Sequence, residues 1–562
     1  MKRFCKFLLA GAMISASALV VPLSQSNAQS SPEPAVVVSI ADIGQQIKDV
    51  DYLFEAAGFG QMKFLAQTTI KQYSKGVDTK TPAGVLLYFN EGSEVPEFLS
   101  FVPVSNIDDM LDTISGVAEV DQGDDFTTVV TDDGTEILIK QVGDLAFISN
   151  KKEMFENLPS NPQELLGELP TKYNLAAQVF GQRIPQSLRD QVMQQIRDGY
   201  EQQLQLLEED EEGSAQAEMQ RTNFEFQMKQ FEKWFNETDN ITMGMCADKD
   251  SKSLFMDVNF TALPGSDMGK RFAASESSEP SLFKGFLIDG AAFTHNSRMN
   301  ISPEDGADYD KMMGQMQKSV IQSIKDESDL TEEDAKIAEK AVSDLLAVLQ
   351  DTVAAGVLDS GAVLMTAEGD INFAAGVQVA DPKKLEATVK ELVAVLEDKL
   401  AGEVQVELNS GNHKDVTFHR VILEIPDDQE EVRDVVGDQL TLIIGIGKKS
   451  VYLSAGSNPL PLLKQAMDGT GTSEKSPMMQ YNFYLTPILK FAAGIQAEPV
   501  VEKMAEALAE KGGDRINMVS KAIENGISMR FEMQDGILSL IKVGVENMGA
   551  GGFQAPADEN DF

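Results

Sequence analysis

Few residues in this chain are of types that do chemistry. His295, His413 and His419 are its only imidazoles, and Cys246 is the only thiol besides Cys5 near the N-terminus. A metal centre draws several Cys, His or carboxylate ligands at fitting spacing, and no H-E-x-x-H occurs. His413 and His419 stand six residues apart around a strand start, at best three pleats apart on one face, and read as exposed or structural side chains. Cys246 alternates with Thr242 and Gly244, opposite Ile241, Met243 and Met245, and no histidine precedes it. It reads as a semi-buried thiol. Ser149-Asn-Lys-Lys152 has the S-x-x-K spacing of penicillin-recognising enzymes without an S-D-N or K-T-G partner. Gly445-Ile-Gly447-Lys-Lys-Ser450 lacks the phosphate-loop spacing and falls in a strand-to-strand turn, with no helix N-terminus to cradle phosphate.

Carboxylates are abundant rather than patterned. Asp305-Gly-Ala-Asp308-Tyr-Asp310 offers oxygen ligands without the loop glycine and terminal glutamate of a calcium hand. The runs Glu208–Glu212 and Asp427–Glu431 read as solvated turns. Among 89 acidic residues, spacing alone singles out no catalytic pair. No catalytic, cofactor-binding or metal-binding residue is expected, and no cofactor. One apolar set remains, at helical spacing: Phe224, Met228, Phe231 and Phe235, with Trp234 beside them. It either packs on its own sheet or forms a docking face for a partner protein or an apolar ligand.

The elements that would carry these residues recur along the chain. Gly84-Val-Leu-Leu-Tyr and Gly361-Ala-Val-Leu-Met open similar strand-like runs, each followed by a helix capped at Asn106 or Asp381 and stopping near Gly116 or Gly402. Val117–Val120 and Val404–Leu408 alternate as strands, turning through Asp121-Gln-Gly-Asp and Asn409-Ser-Gly-Asn. Hairpins turn at Gly143-Asp144 and Gly447-Lys-Lys449, Tyr173-Asn174 matches Tyr481-Asn482, and Ile241-Thr-Met243 matches Ile527-Ser-Met529. This shared order predicts an α+β fold of two tandem homologous units, each an antiparallel sheet with helices packed on one face. The units are placed at 29–272 and 282–548, joined by a linker at 273–281 and followed by a disordered tail at 549–562. The first unit carries a long helical insert at about 184–236, broken at Glu208–Gly213, where the second has a shorter tract at Pro499–Glu524. Local signals agree: Asp133-Gly134 marks a hairpin. Leu385, Val389, Leu392, Leu396 and Leu400 share a helix face, as do Ile337, Ala341, Leu345 and Val348.

Composition sets the outer limits. The chain is 42% hydrophobic and 24% charged, with a formal charge of −42. That excess argues against sequence-independent nucleic-acid binding and against docking on anionic lipid by charge. Residues 1–28 read as a secretory signal: Lys2, Arg3 and Lys6, then uncharged Phe7–Val21, then Ser26-Asn27-Ala28. The apolar run is short for a span, and Pro22 ends it. Cleavage would take the charge from −42 to −45 and remove Cys5, so Cys246 would have no disulfide partner. No later stretch reads as transmembrane, and a periplasmic or extracellular location is expected.

Val38-Ser-Ile-Ala-Asp42, Asp49-Val-Asp-Tyr-Leu53, Gly76-Val-Asp-Thr-Lys-Thr-Pro82, Leu169-Pro-Thr-Lys-Tyr-Asn174, Ile184-Pro-Gln-Ser-Leu188 and Thr261-Ala-Leu-Pro-Gly265 carry a likeness. With the leader, they resemble an uncharacterised family of secreted, duplicated α+β proteins common in planctomycete bacteria. The resemblance implies layout and export and transfers no site residues. The expected role is a non-catalytic binding or structural protein of the bacterial cell envelope. The alternatives are a carrier of an apolar small molecule or lipid, and a carboxylate-based hydrolase.

Overall fold

The computed structural model describes residues 33–549 except 91–95, 132–133, 211–214, 277–278, 327–330, 368–369, 400–403, 427, 470–476 and 496–497. The expected leader and, beyond Gly549, the expected tail lie outside these residues, as do the break at 211–213, Asp133 of the hairpin turn, and the side chains of Leu396 and Leu400; Gly549 itself ends the helix Ser539–Gly549.

The chain is an α+β protein with two compact units that interleave along the sequence. The first gathers the chain up to Gln195, Trp234–Ser266 and Arg530–Lys542; the second gathers Ile196–Lys233, Asp267–Met529 and the remainder. This division departs from the expected boundaries at 272 and 282 for physical reasons. Phe226 packs on Tyr309 and Glu225 pairs with Lys311, which ties much of the helical insert to the second unit. Arg530 clasps Asp257, and Leu538 joins Tyr52 and Ala56 in a small core of the first. The expected linker is not irregular throughout: Ala273–Glu276 ends a helix, Asp267–Glu276, anchored by buried Met268 and Phe272.

The strands form one large antiparallel sheet in two runs; the first run, called the first sheet below, comprises β1 (Val36–Ile40), β2 (Ala83–Tyr88), β3 (Glu97–Pro103), β4 (Glu119–Gln122), β5 (Thr127–Val130), β6 (Glu136–Val142), β7 (Leu145–Ser149), β8 (Leu175–Phe180), β9 (Thr238–Asp248) and β10 (Ser253–Ala262). Its order is β4-β5-β6-β7-β3-β2-β1-β8-β9-β10, antiparallel throughout. The second comprises β11 (Phe293–Asn300), β12 (Val357–Ala367), β13 (Asp370–Gln378), β14 (Val404–His413), β15 (Val416–Glu424), β16 (Gln439–Ile446), β17 (Ser450–Gly456), β18 (Met479–Tyr484), β19 (Arg515–Ile523) and β20 (Gly526–Gln534). Its order is β14-β15-β16-β17-β13-β12-β11-β18-β19-β20.

Caps and turns explain why the elements stop where they do. Asn106 accepts the N–H groups of Asp108 and Asp109, and Asp381 those of Lys383 and Lys384, which satisfies donors that have no intrahelical partner. The turn expected at Asn409-Ser-Gly-Asn is instead an irregularity within β14, where the register shifts between Glu407 and Gly411. The chain reverses at Lys414-Asp415, both at positive φ, as a two-residue hairpin turn requires. The helical tract expected up to Glu524 ends at Lys511, and Arg515–Ile523 is β19.

One face of each sheet is dry. In the first, Leu86, Leu99, Phe101, Phe147 and Leu166 form a core. In the second, Phe283, Phe286, Val363, Ala374 and Ile443 do so beneath the helix Pro459–Asp468. Helices are not confined to one face, contrary to expectation. Val348 of the helix Glu332–Ala354 and Leu385 of the helix Pro382–Lys399 cover Val377 and Val451 on the opposite side of the same sheet. Alternation explains this: Ala374 and Ile443 face one cover, whereas Val377, Ile444 and Val451 face the other.

Candidate functional site

The residues with chemical potential are mostly occupied by structure. His413 Nε2 lies 2.8 Å from Asp468 Oδ1 near the surface. His419 is fully buried, its Nδ1 accepting the Asn409 N–H at 3.2 Å while Nε2 faces Glu386 Oε1 at 3.4 Å. Burial pushes its pKa below the ordinary imidazole value. No group of three or more His, Cys, Asp or Glu that could hold a metal occurs among the described residues. Cys246 is half-buried, and burial with nearby Asp248 raises its thiol pKa, which keeps thiolate scarce. Ser149 donates to Phe98 O at 2.6 Å and accepts the Lys151 N–H, so its hydroxyl ties down a strand end. Asp305–Asp310 lies in the helix Pro303–Asp326, not in a ligand loop.

Among the described residues, three Asp side chains are buried: Asp49 on the helix Ile43–Ala56, raised in pKa by burial and accepting Gln45 and Asn174, and one on a strand of each sheet. Asp257 accepts Nε–H and Nη2–H of Arg530, each at 2.7 Å, and the Tyr173 hydroxyl at 3.1 Å. Asp359 accepts Arg298 at 2.7 Å, Ser281 Oγ at 2.6 Å and the Leu282 N–H at 2.9 Å. Carboxylates that each accept three donors, a guanidinium among them, are anchors rather than proton shuttles.

The apolar set of the long helix Ala215–Glu237 does not act as one surface. Phe224 stacks flat on Tyr200, Met228 is buried, and Phe235 is half-buried. Phe231 and Trp234 keep 40% and 39% of their surface exposed, and Trp234 lies over Phe260 of β10 at 4.4 Å between ring centres.

A different surface stands out, formed by the sheet itself. On the uncovered face of the first sheet, Leu175, Met245 and Met256 form one cross-strand row, and Val38, Ala177, Met243 and Val258 the next. Leu175, Met243, Met245 and Met256 are 47%, 45%, 53% and 39% exposed. Trp234 on Phe260 closes one end, and Tyr52 and Ala56 of the helix Ile43–Ala56 pack near Ala247 and Leu254 at the other. Comparisons with protein-family models, curated proteins and solved structures find no match. The reading of this surface therefore rests on its own chemistry. Solvent-facing thioethers in contiguous rows are adaptable apolar contacts, and contiguous exposed apolar surface marks an interaction site.

The second sheet has a corresponding open stretch. Leu453, Ala375, Ala362, His295, Tyr481 and Met518 line up across six strands. Leu453 and, one row on, Phe483 are 45% and 42% exposed. The helix Glu332–Ala354 flanks the stretch on one side. The helix Leu485–Ile495 flanks the other, its Pro487 carbonyl accepting the Thr366 hydroxyl. A separate half-open cavity of about 320 Å³ lies between the helices Glu332–Ala354 and Pro382–Lys399, lined by Ile337, Ala341, Leu392 and Ala394 under the Lys340–Glu391 pair.

Sequence reasoning missed the open faces. Their signal was present in β9, where Ile241, Met243 and Met245 alternate with Thr242, Gly244 and Cys246, so that neither set is charged. Tyr173 takes up the second set by lying against Gly244, where an added Cβ would come within 2.4 Å of the ring.

Proposed function

We propose that this chain is an exported, non-catalytic binding protein of the bacterial cell envelope that takes an apolar small molecule or lipid on the open faces of its sheets. The observation that carries the reading is the pair of exposed rows at Leu175–Met245–Met256 and Met243–Val258. Fully burying a side chain of this size contributes about 1.5–3 kcal/mol, and covering the exposed part of each of these half-buried side chains contributes about half of that. A tandem origin for the units belongs to the same reading. It is supported by the strand order, which repeats with every strand number raised by ten. Helical hairpins follow both β8 and β18, and also both β1 and β11. Export is supported by the charged, apolar and small-residue succession of residues 1–28.

The test is titration of the mature full-length protein with Nile red, a neutral apolar dye. Saturable binding that falls at least tenfold in a Met243→Asp, Met245→Asp variant of unchanged circular dichroism is expected. Absence of saturable binding, or binding indifferent to that variant, would remove the first sheet from the proposal.

A further inference from the structure

The open stretch of the second sheet is not uniformly apolar. At its centre His295 Nε2 lies 3.2 Å from Ser360 Oγ and 3.3 Å from Ser297 Oγ, and the two hydroxyls are 3.0 Å apart. The imidazole stacks on Tyr481 with ring centres 4.4 Å apart. His295 Nδ1 is buried and has no hydrogen-bond partner among the described residues, a vacancy that folded proteins rarely leave. The surrounding positions are apolar: Phe293 and Phe483 on one side, Met479 on another, Ala362 and Leu364 across β12.

We propose that this imidazole and hydroxyl cluster reads the head group of an uncharged, hydroxyl-bearing lipid whose chain lies on the apolar part of the same face. This inference rests on the reading of the sheet faces as apolar-ligand sites and names the ligand class for the second of them.

Charge selects among amphiphiles. No Lys, Arg, Asp or Glu occurs in the rows through Phe293, His295 and Ser297, and Arg298 on the opposite face is spent on Asp359. A carboxylate or phosphate head would lose its hydration here with no cation in these rows to receive it, on a protein of charge −42. An ammonium head would find no carboxylate in these rows. Burial keeps the imidazole neutral at neutral pH, so it offers one N–H and one lone pair. Two serine hydroxyls and a neutral imidazole both donate and accept, which matches alcohol groups. We read this cluster as a recognition device rather than a nucleophile–base pair, because no group among the described residues hydrogen-bonds Nδ1.

Displacement of Nile red from the mature full-length protein by 1-monooleoylglycerol, methyl oleate and oleate tests the assignment. The glycerol ester should bind about tenfold tighter than methyl oleate, which keeps the chain and lacks the hydroxyls, and tighter than oleate. A Ser297→Ala, Ser360→Ala variant and, separately, His295→Leu should erase that preference and leave methyl oleate unchanged. Melting followed by circular dichroism confirms that each variant folds. Oleate binding as tightly as the glycerol ester, or variants that weaken all three ligands alike, would overturn the assignment. Methyl oleate displacing the dye with no preference for hydroxyls would sink the head-group inference alone. No displacement by any ligand would sink it together with the functional reading beneath it.

Discussion

The open faces of the two sheets are built on the same strand order and differ in what they present. The first offers thioethers and aliphatic side chains without interruption, at Leu175, Met243, Met245, Met256 and Val258. The second places His295, Ser297, Ser360 and Tyr481 in the middle of an otherwise apolar floor. Thioethers on unbranched stems conform to any apolar shape, whereas hydroxyls and an imidazole demand complementary groups at fixed positions. The difference teaches that one strand order can present one wholly apolar and one mixed polar and apolar face, because face residues alternate independently of the core residues that hold the strands.

The anchors on the opposite faces differ too, and this gives the largest expected effect. Asp359 is fully buried with Arg298, whereas the Asp257 partner Arg530 is 46% exposed. Removing one member of a buried pair strands the other charge. Asp359→Ala should therefore cost about 3–5 kcal/mol by urea unfolding. Asp257→Ala should cost less, because water can rehydrate Arg530. Equal losses would break the contrast. Next in size, Leu175→Asp with Met256→Asp should abolish Nile red binding at the first face while leaving the hydroxyl preference at the second intact. A loss of both would mean that the faces do not act separately. Smaller again, Gly244→Ala pushes a methyl group into the Tyr173 ring and loosens its bond to Asp257. A cost of about 1–3 kcal/mol is expected for such overpacking, read as a lower urea midpoint.

Much of the scaffold was legible before any coordinates. Hairpins at Gly143 and Gly447, and caps at Asn106 and Asp381, follow from turn and cap chemistry that acts over a few residues. β19 was not legible, because buried Asn517 and Ser520 disguise its alternation. Asn517 donates to Asn482, which donates to Thr294, a cross-strand ladder that only tertiary pairing satisfies. With β19 unrecognised, Ile241 of β9 was matched to Ile527 of β20, one strand out of step with the repeated order. The open faces were hidden for a different reason. Apolar alternation identifies a strand face that avoids polar contacts, but whether another element covers that face depends on where distant helices come to lie. The set at Phe224–Phe235 could either pack on its own sheet or stand as a docking face, and helical spacing alone did not show that Phe224 stacks on Tyr200 while Phe231 and Trp234 stay part-exposed.

The smallest effect concerns protons, and it separates the units cleanly. All three histidines belong to the second unit, and the single tryptophan, Trp234, stands in the first. Burial lowers the pKa of both His295 and His419 below the ordinary imidazole value of about 6.5. Above that value neither state binds the proton and stability is unaffected. As pH falls below about 6.5, the unfolded chain takes up protons that the folded chain refuses, so stability declines until the folded-state pKa values are passed. The second unit should therefore lose urea resistance between pH 7.5 and 5.5, seen as an earlier far-ultraviolet circular dichroism transition. Trp234 fluorescence, which reports the packing on Phe260, should keep its midpoint. A parallel shift of both signals would mean that the units unfold as one cooperative body. A His419→Gln variant, retaining a side chain that can accept the Asn409 N–H, should remove part of the acid sensitivity. Acid sensitivity unchanged in that variant and in His295→Leu would place its origin in carboxylates instead.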